Sequence, residues 1–152
     1  YCQSRVPEIK QVADDHPLRV DAAIFNWKKA WKVIDESLAA FKFQEAINAI
    51  WQFMAEADKY IDQQKPWVLD KEGKQEELNW VIYGLLDSLH QVAWQLAAFL
   101  PEASQKIAQA LRIEKLLVEK PDYKDSWTNL KSGTVIEKPA ALFPRQDTMS
   151  LD

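Results

Sequence analysis

The sequence predicts an all-α fold, an antiparallel helical bundle over residues 1–120 followed by an extended C-terminal strap over residues 121–152. Through most of the first part, apolar residues recur three and four positions apart, which places them on one face of an α-helix. The 152 residues include only three glycines, too few for a sheet-rich fold with many tight turns or for a glycine-rich phosphate loop. A chain of this length most naturally forms one domain.

The first predicted helix extends from about His16 to Phe41. Asp14 or Asp15 can cap its start, and Pro17 suits its first turn, where no backbone N–H donor is needed. Its apolar residues share one helical face and are Val20, Ile24, Trp27, Trp31, Ile34, Leu38 and Phe41.

The second predicted helix must end before Pro66, because the proline ring would clash with the preceding turn. Its apolar face consists of Phe43, Ile47, Ile50, Met54, Ala57 and Ile61.

The third predicted helix begins after Gly73 and carries Glu76 and Glu77 in its first turn, where negative charge complements the helix dipole. It has two apolar stripes, which predict packing on both sides. The stripes are Leu78, Val81, Leu85, Leu89, Val92, Leu96 and Phe99, and Trp80, Tyr83 and Trp94. Pro101 then starts a short fourth helix that buries Ile107, Leu111 and Leu116.

The periodicity ends at Lys120. The remainder holds three prolines and a glycine, and it predicts an extended tail that is ordered only where its apolar residues dock on the bundle. Those residues are Trp127, Leu130, Val135, Ile136, Leu142 and Phe143.

Charge and composition bound the function. With 19 basic and 23 acidic residues the net charge is −4, which disfavours binding duplex nucleic acid through a broad basic face. The single cysteine, Cys2, fits a reducing compartment, and neither a secretory signal nor an apolar run of about 18 residues is present. We therefore expect a cytoplasmic location and no membrane partner. Because the sequence begins at Tyr1 without a methionine, we expect an excised or processed fragment.

The sequence offers little for catalysis. Asp87 and His90 form a D-x-x-H pair, but a two-metal carboxylate bundle needs two such pairs and two further glutamates. A hydrogen-bonded or solvent-facing His90 is the simpler interpretation. Cys2 has no histidine close in sequence, and no phosphate-loop or dinucleotide motif is present. We expect no catalytic residue, metal or cofactor in this chain.

The chain has seven tryptophans, which is many for its length. Trp27 and Trp31 lie one helical turn apart and Trp51 is next to Ile50, so these three are expected in the core. Trp67 differs, because the periodicity places it beyond the end of the second helix, directly after Pro66.

Two interpretations of Trp67 follow from the residues alone. Pro66 fixes the backbone, while Lys59 and Lys65 precede the indole and Lys71 and Lys74 follow it. A rigid aromatic ring near lysines can stack on an unpaired base and hold its phosphate. Equally, the indole could fold beneath the bundle as a helix stop.

Two motifs resemble a known family. The stretch AINAIWQFMAEADKYIDQQKPWVL is similar to the second helix and following turn of the anticodon-binding domain of bacterial methionyl-tRNA synthetases. The tail SWTNLKSGTVIEKPAALFPRQD resembles that family's C-terminus, in which Gly-Thr is followed by Leu-Phe-Pro-Arg, here residues 133–134 and 142–145. The resemblance covers nearly the whole chain and implies the helical bundle of class I synthetases.

The resemblance implies an anticodon site around the Pro-Trp pair. Trp67 would stack on the first anticodon base, a cytidine of the CAU loop, with Pro66 shaping the turn and Lys65 and Lys59 close to the RNA. The family's Asn and Arg motif would fall at or before Tyr1, so we do not assign Arg5 to it. Asp58 stands where many relatives have asparagine, and its carboxylate would slightly disfavour a nearby phosphate.

The resemblance also implies a parent enzyme, a methionine–tRNA ligase whose catalytic domain, with its ATP and methionine, lies outside this chain. Initiator and elongator methionine tRNAs would be its partners, and the chain would be inactive alone. The tail would return toward that domain, so we expect an apolar patch or disorder around Phe143 and Arg145. Two alternatives stay open: a helical protein-interaction module, and the anticodon domain of another class I synthetase.

Overall fold

The computed structural model describes residues 4–9, 27–113, 130–137 and 141–142, with the backbone alone at residues 27 and 28. The described part contains five helices: α1 (Trp27–Ala39), α2 (Phe43–Gln64), α3 (Pro66–Lys71), α4 (Gln75–Leu96) and α5 (Pro101–Leu111). The all-α prediction is therefore confirmed. The observed bounds of α2 agree with the second predicted helix. Helix α4 ends at Leu96, before Phe99 of the predicted stripe, and α5 ends at Leu111, where Arg112 turns left-handed. Leu116, and residues 16–26 of the first predicted helix, lie outside the described part.

Helices α1 and α2 form a hairpin, because only three residues connect them. Trp31, Ile34, Ile50 and Phe53 fill the space between the helices and the rest of the bundle and are buried. The hairpin tip departs from the predicted faces, since Phe41 and Phe43 are 80% and 53% exposed. Their positions continue the apolar periodicity, but they lie where the chain turns between the helices.

Trp51 was also predicted in the core, and it is 41% exposed. The adjacent Ile50 is fully buried, and neighbouring residues on a helix differ by about 100° in direction. The apolar face of α2 is thus centred on Ile50, with Trp51 at its edge.

Helix α4 is the central element and packs against α2, α3 and α5. Both predicted stripes are used, because Leu78, Val81 and Val92 are buried on one and Trp80 and Tyr83 on the other. Leu89 is the exception and stands 42% exposed. Packing on several sides explains why most residues of this helix are buried, whatever their polarity.

Several of those buried residues are polar. The Trp31 Nε1–H donates to Gln91 Oε1 at 3.0 Å, and the Ser104 hydroxyl donates to the Ala93 carbonyl at 2.6 Å. By contrast, the two ring nitrogens of the buried His90 and the Oδ1 of the buried Asp87 have no hydrogen-bond partner among the described residues. The expectation that His90 is hydrogen-bonded or faces solvent is therefore wrong.

The tail and the N-terminal segment hold each other against the bundle. Val6 N–H donates to the Thr134 carbonyl at 2.9 Å, Gly133 N–H donates to the Val6 carbonyl at 2.8 Å, and Arg5 and Val135 form an antiparallel β-bridge. Leu130 is buried, and Ile136 and Leu142 pack against the core, whereas Val135 is exposed instead of docked. The predicted division between residues 120 and 121, and residues Trp127, Phe143 and Arg145, lie outside the described part.

Candidate functional site

The turn between α2 and α3 is built on Lys65, which ends one helix and begins the next. Its backbone is left-handed, with φ 47° and ψ 62°, a conformation uncommon for a residue with a side chain. Its N–H donates to the Ile61 carbonyl at 2.9 Å, and its carbonyl accepts from the Val68 N–H at 2.7 Å. These hydrogen bonds fix the direction in which the chain enters α3.

Trp67 occupies the second position of α3. The prediction that it lies off-helix is wrong, because Pro66 opens a new six-residue helix instead of ending the helical structure. Pro66 and Leu69 are three residues apart, share a face and are buried against the bundle. The Trp67 side chain projects from the adjacent face of α3, and Trp67 is 38% exposed. The indole is therefore anchored beside the core, yet part of its surface is open to a ligand.

Lysines surround this turn. Lys59, Lys65 and Lys71 are exposed. Lys59 lies six residues before Lys65, which is about 9 Å along the axis of α2. Lys59 and Lys65 form no ion pair with a described residue. Lys74, in contrast, lies 2.8 Å from the Glu72 carboxylate, and this hydrogen bond raises the pKa of its ammonium group.

The charge around the turn is nevertheless balanced. Residues 58–74 contain four lysines and four acidic residues, and the carboxylates of Asp58, Asp62 and Asp70 are exposed. Such a surface cannot hold a polyanion by net charge. What the turn exposes to a ligand is the ring of Trp67 and single ammonium groups.

The N-terminal segment lies close to the same end of the bundle, which the sequence did not reveal. The Asn79 amide, in the second turn of α4, donates to the Glu8 carbonyl at 3.1 Å and accepts from the Gln75 amide at 2.8 Å. Residues 4–9 therefore run beside the start of α4, the helix that directly follows α3. A contact made by a main-chain carbonyl has no residue-type pattern, so no motif could have indicated it.

Asp87 and His90 are both buried on α4. Burial raises the pKa of the Asp87 carboxyl to about 7 and lowers the pKa of the His90 imidazole to about 4. Within the described residues, no three histidine, cysteine, aspartate or glutamate side chains come together as metal ligands. In that same part of the chain, every helix is too short or too polar to cross a membrane.

Sequence comparison assigns almost the whole chain to one family. A family model described as the anticodon binding domain of methionyl tRNA ligase matches residues 9–149. The methionine–tRNA ligase of Clostridium acetobutylicum is 39% identical over 121 residues, which are 75% of this chain and 17% of that protein. The ligase of Oceanobacillus iheyensis is 30% identical over 154 residues, covering 97% of this chain and 22% of its own length.

Solved structures agree with this assignment. The free methionyl-tRNA synthetase of Mycobacterium tuberculosis superimposes with a TM-score of 0.69 at 26% identity, over 95% of this chain and 28% of that one. The same enzyme bound by methionyl-adenylate gives a TM-score of 0.68. This chain spans about a fifth of the length of the curated relatives it matches. It belongs to the family of methionyl-tRNA ligase anticodon-binding domains.

Proposed function

We propose that this chain recognises the CAU anticodon loop of methionine tRNAs, initiator and elongator, within a larger methionine–tRNA ligase. The observation that carries the proposal is Trp67, whose ring is part exposed beside the buried Pro66 and Leu69, in a chain that belongs to an anticodon-binding family. The remainder of the ligase would bind ATP and methionine and would perform the chemistry in the cytoplasm. This chain would supply no catalytic group and no cofactor.

Stacking on Trp67 is the main source of affinity in this proposal. An unpaired base has two apolar faces, and covering one with an indole contributes about 1–3 kcal/mol. The helical turn supports the ring, so little conformational entropy is lost when the base docks. Lys65, adjacent to the turn, and Lys59, farther along α2, would contact the RNA backbone. The balanced charge of the turn predicts a modest salt dependence.

The test is the variant Trp67→Ala in the full-length ligase that contains this chain. We expect kcat/KM for tRNA charging to fall roughly 5- to 150-fold, since one stacked base is lost. Methionine activation by ATP should be unchanged, because it requires no anticodon. The matched control is Trp51→Ala, which removes a comparably exposed indole, 41% against 38%, from the middle of α2.

Equal loss of charging and activation in Trp67→Ala, or loss of neither, would contradict the proposal. Titration of the full-length ligase with a CAU stem-loop and with a scrambled loop separates the two alternatives. A preference for a different anticodon identifies another class I synthetase. Indifference to both loops by the folded enzyme supports the protein-interaction module.

A further inference from the structure

Phe41 violates two local rules at once. It is 80% exposed, and its φ of 58° is in the left-handed region, which costs a residue with a Cβ about 1–2 kcal/mol. The turn is a Schellman motif, because Lys42 N–H donates to the Ser37 carbonyl at 2.8 Å and Phe41 N–H to the Leu38 carbonyl at 3.1 Å. Phe41 therefore occupies the position that most often holds glycine. Neither its conformation nor its exposure stabilises the fold.

Phe43 extends the feature. It is 53% exposed, and its ring meets that of Phe41 edge to face, with centroids 6.4 Å apart and planes inclined by 80°. We call these two residues the aromatic tip. Beside it is a shallow depression of about 230 Å³, lined by Val33 and Ala40 together with the polar residues Glu36, Ser37, Lys42 and Glu45. The tip is thus an exposed apolar projection next to a recess.

The aromatic tip lies at the end of the bundle opposite Trp67. Helix α2 separates them, and its 22 residues span about 33 Å. The rings of Trp31, in the N-terminal half of α1, and Trp94, near the end of α4, stand 4.7 Å apart, so the end of α4 lies beside α1. Leu142 of the tail borders a cavity at the turn between α4 and α5. A partner held at the tip would not compete with RNA at Trp67.

The charges near the tip favour a protein partner over RNA. Lys42 pairs with Glu45 at 3.1 Å, and Lys32 pairs with Glu36 at 3.9 Å. Residues 32–45 contain two lysines and three acidic residues, so no excess of cations faces a phosphate backbone. Aromatic residues, phenylalanine included, are enriched in protein–protein interfaces.

We propose that the aromatic tip is the surface through which this domain packs on an apolar face of the remaining part of the same ligase polypeptide. This inference rests on the proposed function, because relatives about five times as long supply the occupant. Folding alone does not explain the strained and exposed Phe41, whereas burial of both rings in an interdomain contact does. The contact fixes the distance between the anticodon end and the site of charging.

The first experiment places a photo-crosslinking phenylalanine analogue at position 41 of the full-length ligase. We expect an intramolecular cross-link, formed without tRNA, to a peptide from the part of the ligase that lies outside residues 1–152. A cross-link to tRNA, to a second copy or to no protein at all would overturn the proposal. This cross-link does not involve Trp67. The tip proposal can therefore fail while anticodon recognition is confirmed, and anticodon recognition can fail while the cross-link is found.

The second experiment is Phe41→Asn in the full-length ligase. Asparagine tolerates the left-handed backbone, so the turn persists while the ring is removed. We expect kcat for tRNA charging to fall about tenfold or more, with KM for tRNA, stem-loop affinity and methionine activation unchanged. The control is Trp51→Gln, an exposed aromatic away from the tip. An unchanged kcat, or a loss confined to KM for tRNA, would overturn the proposal.

Discussion

At the scale of single residues, helix α2 is flanked by two residues whose backbone conformation is unfavourable for a residue with a side chain. Phe41 precedes it and Lys65 follows it, both left-handed and both without the glycine that this conformation favours. Gly73, at φ 70°, shows that the chain uses glycine where only a turn is needed. Ser4 and Arg112 are left-handed as well, so four described residues accept this conformation without glycine. Phe41 and Lys65 are the two that stand at the proposed contact surfaces, where strained residues can be retained for function.

Lys65→Gly separates the backbone role of this residue from its charge. Glycine adopts the left-handed turn without strain, so the free energy of unfolding should stay constant or rise by up to about 1 kcal/mol. Stem-loop affinity should fall, and the slope of log K against log salt should decrease in magnitude by about 0.7, the value for one phosphate contact on a single strand. Equilibrium urea unfolding and salt-dependent titrations measure the two effects.

Two controls accompany this variant. Lys65→Arg keeps the charge and should keep the salt slope. Lys65→Ala removes the charge without relieving the backbone, so it should weaken binding and leave stability no higher than that of the wild type. A salt slope unchanged in Lys65→Gly would show that the ammonium group does not contact phosphate.

Local sequence indicated the residues of the proposed site but not how they are exposed. Pro66 and Lys65 were identified together with Trp67, because a proline after an amphipathic helix marks a turn. Whether the indole points inward depends on which face of the next element meets the core. That face is set by Leu69 packing on the bundle, a contact that no residue pattern reveals.

At the scale of elements, short helices and helix ends escaped prediction. Helix α3 has six residues, less than two turns, so periodicity has no room to appear. The longer α2 and α4 were predicted closely, since six or seven apolar positions define each face. The same periodicity placed Phe41 and Phe43 on buried faces, because a pattern continues to a helix end even where the packing partner does not.

Helix α4 carries a buried carboxyl that makes its stability depend on pH. The folded state raises the pKa of Asp87 from 3.8 to about 7, through burial, so between these values it holds a proton that the unfolded state releases. Stability from this group therefore falls as pH rises from about 4 to 7. His90 acts in the opposite direction, because its folded pKa of about 4 lies below 6.5 and stability is lost as pH falls through that window.

Asp87→Asn isolates the carboxyl, because His90 is present in both proteins and its effect cancels in their difference. The amide fills the same space and does not ionise. We expect the unfolding free energy of the variant relative to the wild type to increase between pH 4 and pH 8, by on the order of 3 kcal/mol. Urea unfolding across this range tests it, with the exposed Asp70→Asn as the control. A difference that does not change with pH would refute the assignment.

At the scale of the whole molecule, periodicity predicted the helical bundle. It did not predict the contacts between the N-terminal segment and the tail. The N-terminal segment and the tail join through main-chain hydrogen bonds between residues more than 120 positions apart, such as Val6 to Thr134. Main-chain groups are the same in every residue, so such pairing leaves little trace in the sequence. Apolar tail residues indicated docking in general, yet only the structure distinguishes the buried Leu130 from the exposed Val135.

Leu130 is the residue through which the tail is fastened to the bundle. Its side chain is buried among the core residues, and its carbonyl accepts the Tyr83 hydroxyl at 3.0 Å from α4. Burial raises the pKa of that hydroxyl to about 12, so Tyr83 remains a donor at every pH at which the protein is handled. The tail is therefore held by an apolar contact and a buried hydrogen bond at one point.

Leu130→Ala should lower the free energy of unfolding by about 2–4 kcal/mol, because it removes a buried side chain and leaves a cavity. Amide exchange at Val6 and Ile136 should accelerate with it, since their N–H groups donate to Thr134 and Ser4 across the two paired segments. Val135→Ala, at an exposed position of the same segment, should change stability by less than about 0.5 kcal/mol. If both variants unfolded alike, or if Leu130→Ala left exchange at Val6 unchanged, the tail would not hold the N-terminal segment against the bundle.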